Sequence, residues 1–231
     1  MTNKPKKLVV CGATGNQGGA IINALQGNPA WQLVALTRKP EGKAGRQLAE
    51  RGINVQYGDI NDKASLQAAF SGAHSVFGVT TPLTPQGKMD ITVERQQGFN
   101  IVDACADNGI RHLVLSTVLY ISDDQRAIPY VRSKLDIEAY LAQKGIPHTI
   151  LRPASFMDEI GGEYLPVKRN TLTGQGYGDA KIPYVACVDI GKVGARAFNE
   201  PERFSGKKIN LIGEFISGDE LAEVLTRTQG G

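Results

Sequence analysis

A doubly wound, parallel α/β sheet is the fold class that this 231-residue sequence predicts. Apolar runs of strand length alternate with stretches of helical periodicity from the start of the chain. The first run stops at a glycine triplet that opens a helix. The alternation then continues, unit after unit, until the character of the chain changes near residue 156.

Lys7-Leu8-Val9-Val10-Cys11 is a short apolar run ended by Gly12, the pattern of a strand buried on both faces. Residues 18–25 follow with Ile21, Ile22 and Leu25 at helical spacing, stopped by Asn28-Pro29. Residues 31–37 form the second strand, a helix near 44–51 closes at Gly52, and 53–57 alternates as the third strand. Asp62 can cap a helix reaching Phe70, with Gly72 just past its end. Residues 76–79 are the fourth strand, the proline-bearing segment 80–87 is a loop, and a long helix is predicted over about 89–108, stopped by Gly109. A fifth strand at 111–116, a helix over 129–144 before Gly145 and a sixth strand at 147–151 complete the alternation. Right-handed crossovers predict the strand order 3-2-1-4-5-6. Residues 156–185 are rich in glycine, carry Tyr164, Tyr177 and Tyr184, and read as substrate-side loops. A helix near 188–198, a strand at 208–212 and a helix over 218–225 finish the chain. The organisation expected is a core over 1–155 with a small, shortened region over 156–231 packed onto it as one domain.

Composition narrows the function classes. A net charge of +3 is too small to argue for nucleic acid, and Lys4, Lys6 and Lys7 read as a solvated tail. Cys11, Cys105 and Cys187 are scattered and odd in number, which suggests a reducing compartment. Cys11 and Cys105 read as small buried hydrophobes. His74, His112 and His148 form no ligand pair, so a structural metal is not expected. No apolar run has the length of a signal-peptide core or a membrane span, and a cytoplasmic location is the default expectation.

The glycines at 12, 15 and 18 follow the first strand and open the first helix. Glycine permits a tight turn and close approach of the backbone to a pyrophosphate, and the helix N-terminus offers free N–H groups. In this strand–turn–helix setting the motif predicts a dinucleotide site of the Rossmann type, although its G-x-x-G-x-x-G spacing differs from the usual dehydrogenase fingerprint. The end of the second strand reads Thr37-Arg38-Lys39-Pro40, without the acid that binds a ribose 2′-hydroxyl. Arg38 offers a planar fork for a 2′-phosphate, with Lys39 and Lys43 adding charge, so NADP(H) is favoured over NAD(H). Asp59 and Ile60, after the third strand, can meet the adenine. Thr80 and Thr81, after the fourth, can lie beside the ribose and nicotinamide. Each pair reads equally well as a plain cap or turn.

A candidate catalytic group follows the fifth strand. Tyr130 and Lys134 share a helix face, so the ammonium could favour a phenolate, and Tyr130 could protonate a carbonyl oxygen as hydride arrives. Ser116 could hydrogen-bond the same oxygen. The alternative is a solvated helix start with Lys134 paired to Glu138.

These residues resemble the NmrA-like family of atypical short-chain dehydrogenases/reductases. The resemblance rests on Gly12-Ala13-Thr14-Gly15-Asn16-Gln17-Gly18-Gly19, Thr37-Arg38-Lys39-Pro40, Gly58-Asp59, and Ser133-Lys134 with Glu138-Ala139-Tyr140-Leu141. It extends through residues 149–157, Asp189-Ile190-Gly191 and Pro201-Glu202-Arg203-Phe204. It implies that Gly12, Thr14, Gly15, Asn16, Gln17, Gly18 and Arg38 bind the coenzyme. It also implies that Lys134 and the loop Pro153, Ala154, Ser155 and Phe156 line the nicotinamide side. Members often lack a tyrosine four before the lysine, and many continue into further C-terminal helices, so an open, shallow pocket is expected here. The resemblance implies either an NADPH-dependent reductase of a quinone or small carbonyl compound, or a non-catalytic NADP(H) sensor acting through a regulatory protein partner. A homodimer is left open.

Overall fold

The computed structural model describes residues 4–82, 88–162, 165–168, 171–172 and 179–229. Tyr164, Tyr177 and part of the loop over 80–87 therefore lie outside the described residues. Six strands, β1 (Lys6–Val10), β2 (Trp31–Thr37), β3 (Asn54–Tyr57), β4 (Ser75–Val79), β5 (His112–Ser116) and β6 (His148–Pro153), are parallel in the order 3-2-1-4-5-6. The C-terminal third supplies β7 (Ser155–Phe156), β8 (Val167–Lys168), β9 (Thr171–Leu172), β10 (Ile182–Val185), β11 (Lys208–Leu211) and β12 (Glu214–Ile216). β11 joins the main sheet beside β6 as a seventh parallel strand, a position the sequence pattern did not reveal. β7, β10 and β12 form a small second sheet, and β8 pairs with β9.

Alternation along the strands sends side chains to two separate cores. Leu8 and Val10 face one layer, made with α1 (Asn16–Leu25), α2 (Lys43–Glu50) and, from the C-terminal third, α6 (Cys187–Asn199). Val9 and Cys11 face the other, made with α3 (Lys63–Phe70), α4 (Ile91–Asp107) and α5 (Pro129–Lys144). Both faces are thus covered, which is why the strands read as continuous apolar runs. The short α7 (Pro201–Phe204) leads into β11, and α8 (Gly218–Gln229) follows β12.

Local chemistry sets the helix ends. The helix expected from residue 89 begins at Ile91, because the Asp90 carboxylate accepts from Thr92 N–H (2.8 Å) and Val93 N–H (3.3 Å) and caps it. Pro129 at the first turn and Gly145, in the left-handed region at φ 66°, bracket α5. α6 crosses α1 closely: a Cβ at Gly191 would lie 2.4 Å from the Ala20 carbonyl oxygen. Trp31, at the start of β2, closes the base of this layer. Its indole N–H donates to Asn199 Oδ1 (2.7 Å), and its ring meets His74 and Phe198 edge-on.

All three cysteines are buried, and burial pushes the Cys11 and Cys187 thiols up to about 12. For Cys11 and Cys105 this matches the reading as small apolar side chains.

Candidate functional site

The strand ends on the α1 side build the first half of the site. After β1 the chain turns through Gly12, at φ 60°, and Gly15 N–H donates to Gly12 O (2.9 Å). A Cβ on Gly18 would lie 2.3 Å from that same carbonyl oxygen, so α1 can start this close to the turn only with glycine there. Gly15 is the N-cap of α1 and no side chain caps the helix. The first-turn amides of Asn16, Gln17 and Gly18 therefore stand free at the positive end of the helix dipole. The adjoining side chains are engaged elsewhere. Asn16 Nδ2 donates to Glu159 Oε1 (2.7 Å), and Gln17 Oε1 accepts the Ser116 hydroxyl (2.6 Å).

From this turn a groove of about 630 Å³ runs past the C-terminal ends of β2 and β3. It brings together Gly12, Thr14, Arg38, Lys39, Asp59, Ile60 and Thr81, all anticipated from the sequence. Among the described residues Arg38, Lys39 and Lys43 have no ionic partner. α2 opens at Lys43 behind Gly42 with no side-chain cap, which adds a second set of free amides to the cationic wall. Gly58 keeps the loop after β3 against Leu36, since a Cβ there would come 2.5 Å from Leu36 Cδ1.

Among the groove residues that were not anticipated are Asn61 and Gln97. Gln97 Oε1 accepts Thr81 N–H (3.0 Å), and its Nε2 donates to Asn61 Oδ1 (3.0 Å). Asn61 in turn donates its main-chain N–H and its Nδ2 to Asp59 Oδ1 (2.9 Å each). Asn100 Nδ2 donates to Ile60 O (3.0 Å). Glu94, Gln97 and Asn100 recur every third residue on α4 and are all buried, so they share its inner face. That buried polar periodicity was the sequence signal available for them.

The second half lies beyond β4 and β5. Lys134 points inward. Its Nζ lies 2.8 Å from Glu94 Oε1 and donates to Thr80 Oγ1 (2.5 Å), so the expected alternative of a Lys134–Glu138 pair does not form. Glu138 instead takes Arg152 Nε (2.9 Å), Lys208 Nζ (3.0 Å) and the Thr117 hydroxyl (2.9 Å). Burial alone would raise the Glu138 carboxyl, but these donors more than offset it and hold the group below its ordinary range. Tyr130 is 44% exposed at the start of α5, and among the described residues its hydroxyl makes no hydrogen bond. Among the described residues no hydrogen bond joins the tyrosine to the lysine. Ser116, 1% exposed, is brought to Gln17. Pro153 ends β6, and its carbonyl accepts Leu119 N–H (2.9 Å). Ala154 N–H donates to Leu211 O (3.0 Å), and Ser155 and Phe156 form β7 against β10. The loop is therefore tied by main-chain pairing to the segment after β5, to β10 and to β11.

The sheet order reverses direction between β1 and β4, and the glycine turn stands at that switch point, where open α/β sheets place their ligands. The fold and the groove together define a nucleotide-site α/β protein of the Rossmann class. Within that class the chain belongs to the NmrA-like family, whose model matches residues 4–231. It is 37% identical over 233 residues to the NmrA-like family domain-containing oxidoreductase hkm9 of Aspergillus hancockii, covering 93% of this chain and 70% of the relative. It is 29% identical to the NmrA-like family domain-containing oxidoreductase FrzB of Cladobotryum sp., covering 96% and 73% respectively. Among solved structures, the triphenylmethane reductase of Citrobacter sp. complexed with NADP(H) superposes with a TM-score of 0.81 at 28% identity, over 97% of this chain and 76% of the other. Among the described residues, no helix is long and apolar enough to cross a membrane.

Proposed function

We propose that this chain is an NADP(H)-dependent reductase of small electrophiles, with quinones favoured over simple carbonyl compounds. The observation that carries this reading is the groove wall at the end of β2, where Arg38, Lys39 and Lys43 stand unpaired beside the free amides that open α2. Three cations line that corner, and Glu41, the acid between them in sequence, is not among the groove's lining residues, which suits a 2′-phosphate better than a bare 2′-hydroxyl. The amides of Asn16, Gln17 and Gly18, with Thr14, suit the diphosphate. Asp59 and Ile60 suit the adenine. Thr80, Thr81 and Lys134 suit the ribose on the nicotinamide side, and Pro153 to Phe156 its outer wall. The oxidoreductase names of the relatives and the NADP(H) of the Citrobacter reductase support the same class.

A nicotinamide coenzyme supplies a hydride when bound. The chain's own residues orient it and manage protons. Lys134 holds its ammonium between Thr80 and Glu94, and among the described residues no hydrogen bond joins it to Tyr130. Ser116 acts by fixing Gln17 and hence the glycine turn. Substrates that need no residue-delivered proton then fit best. A reduced quinone takes its proton from water, while Tyr130, exposed at the start of α5, is the donor available to a carbonyl.

Fluorescence titration with NADPH, followed by NADPH consumption over a panel of quinones and aldehydes, tests the reading. Saturable quinone-dependent consumption, retained in Tyr130→Phe and lost in Lys134→Ala with folding intact, is expected. Tight NADPH binding with no consumption across the panel would reject the reductase in favour of a coenzyme sensor with a protein partner.

A further inference from the structure

Lys134 is 9% exposed and Glu94 1%, and each is the other's ionic partner. Their meeting is a product of helix contact. A Cβ on Gly98 would lie 2.4 Å from Ile137 Cγ1, so α4 and α5 approach to a distance that only glycine permits. Gly98 is one turn beyond Glu94, and Ile137 one turn beyond Lys134, so this contact sets the reach between carboxylate and ammonium. The Ser133 hydroxyl donates to Ile91 O (3.3 Å) and fastens the same two helices beside the pair.

The hydrogen-bond inventory of the pair is short. Lys134 has three N–H donors. One goes to Glu94 Oε1 (2.8 Å) and one to Thr80 Oγ1 (2.5 Å), which leaves a single donor for a ligand. The Thr80 hydroxyl hydrogen goes to Glu94 Oε1 as well (3.2 Å). Glu94 Oε2 is buried without a partner. Among the described residues no second ion pair reaches either group. A carboxylate so enclosed, with one oxygen left unbonded, is costly to bury and adds nothing that packing alone requires. What it does supply is one negative charge that cancels one positive charge.

We propose that Glu94 is the counter-charge of the nicotinamide pocket: it holds Lys134 inward and cancels its charge, so that the pocket takes the cationic oxidised ring and the neutral reduced ring on near-equal terms. Glu94 is on this view a positioning residue that acts through Lys134, and the inference rests on the coenzyme site proposed above. An uncompensated ammonium would repel the oxidised ring and leave the reduced one unaffected. At the separation of a ribose contact, about 6 Å from the ring, and an effective dielectric near 20, that repulsion weakens oxidised relative to reduced coenzyme roughly a hundredfold. An uncompensated carboxylate would act in the opposite sense.

The test is the ratio of the dissociation constants for NADP⁺ and NADPH, measured by calorimetry on the full chain. Glu94→Gln keeps the shape and removes the charge, and the ratio is expected to rise about a hundredfold. Lys134→Met is expected to lower it, and the double variant to return it near the wild-type value. A purely structural role would weaken both coenzymes together and leave the ratio alone, so a ratio unmoved in folded single variants overturns the proposal. Should one single variant fail to fold, the other single and the double variant read the same quantity. Absence of binding of either coenzyme by the wild-type chain overturns the coenzyme reading itself, which is a distinct outcome.

Discussion

On the β1–β3 half of the sheet Arg38, Lys39 and Lys43 stand without ionic partners, whereas on the β5–β6 half Lys134 and Arg152 are each clasped by a buried carboxylate. Both halves carry cations, and what differs is the depth at which they sit. Cations along an open groove keep their hydration until a ligand anion replaces it. Cations under a helix layer must find an anion within the fold, because an unpaired buried charge is too expensive to keep. On the proposed reading, the unpaired cations that line the groove receive a ligand's charge, and the buried pairs hold the other half in shape.

The largest effect that would sharpen this contrast is expected at Glu138. Its removal in Glu138→Gln leaves Arg152 and Lys208 without their shared carboxylate, at a cost of about 3 kcal/mol, or a fall in Tm of roughly 6–12 °C by calorimetry. Because the folded-state pKa of Glu138 is depressed, its contribution is present above the ordinary carboxylate range and is lost as pH falls through the depressed value. The variant should lose that acid-limb dependence. A variant as stable as wild type at neutral pH would break the claim that buried pairing matters on this half.

Next in size is Gly18→Ala. Its Cβ would collide with the Gly12 carbonyl, displacing α1 from the turn, so NADPH affinity should fall about a hundredfold, equivalent to about 2.7 kcal/mol. Titration that finds unchanged affinity would remove the glycine turn from the site.

His112, at the base of β5, gives a third, smaller effect. Thr149 donates its hydroxyl to Phe204 O (2.9 Å), so it accepts from His112 Nε2–H (2.9 Å) and leaves Nδ1 bare and buried. Burial pushes His112 down to about 4. The unfolded chain then binds the proton first, and stability should fall by about 2 kcal/mol, allowing for screening, as pH drops from about 6.5 towards 4. Denaturation midpoints across that window should slope in the wild type and flatten in His112→Leu.

The smallest effect belongs to the open half. Arg38→Ala should weaken NADPH about tenfold while leaving NADH unchanged, because Lys39 and Lys43 remain on the wall. Equal losses for both coenzymes would assign Arg38 a structural part and remove the stated preference.

Much of this was legible in the sequence because local signals sufficed. The glycine triplet, the Pro129–Gly145 bracket of α5 and the apolar strands each carry their own conformational reason. The strand order followed from handedness, but β11 did not, because a short apolar run carries no record of which edge it joins. Glu94 and Gln97 were missed for a similar reason. Their chemistry depends on α4 lying beneath two loops far away in sequence, and only their period of three along an otherwise apolar face hinted at it. Tyr130 and Lys134 show the converse. Helical spacing placed them on one face, yet the long lysine side chain turned into the interior while the tyrosine stayed at the surface.

Trp31 is the chain's sole indole, and it sits at the foot of β2, a strand whose opposite end meets the groove about 20 Å away. Its emission is therefore a built-in reporter of the α1–α6 layer, sensitive to loss of Asn199 and Phe198 contacts on unfolding. Chemical denaturation of every variant above, run without coenzyme, can be followed by this one fluorophore.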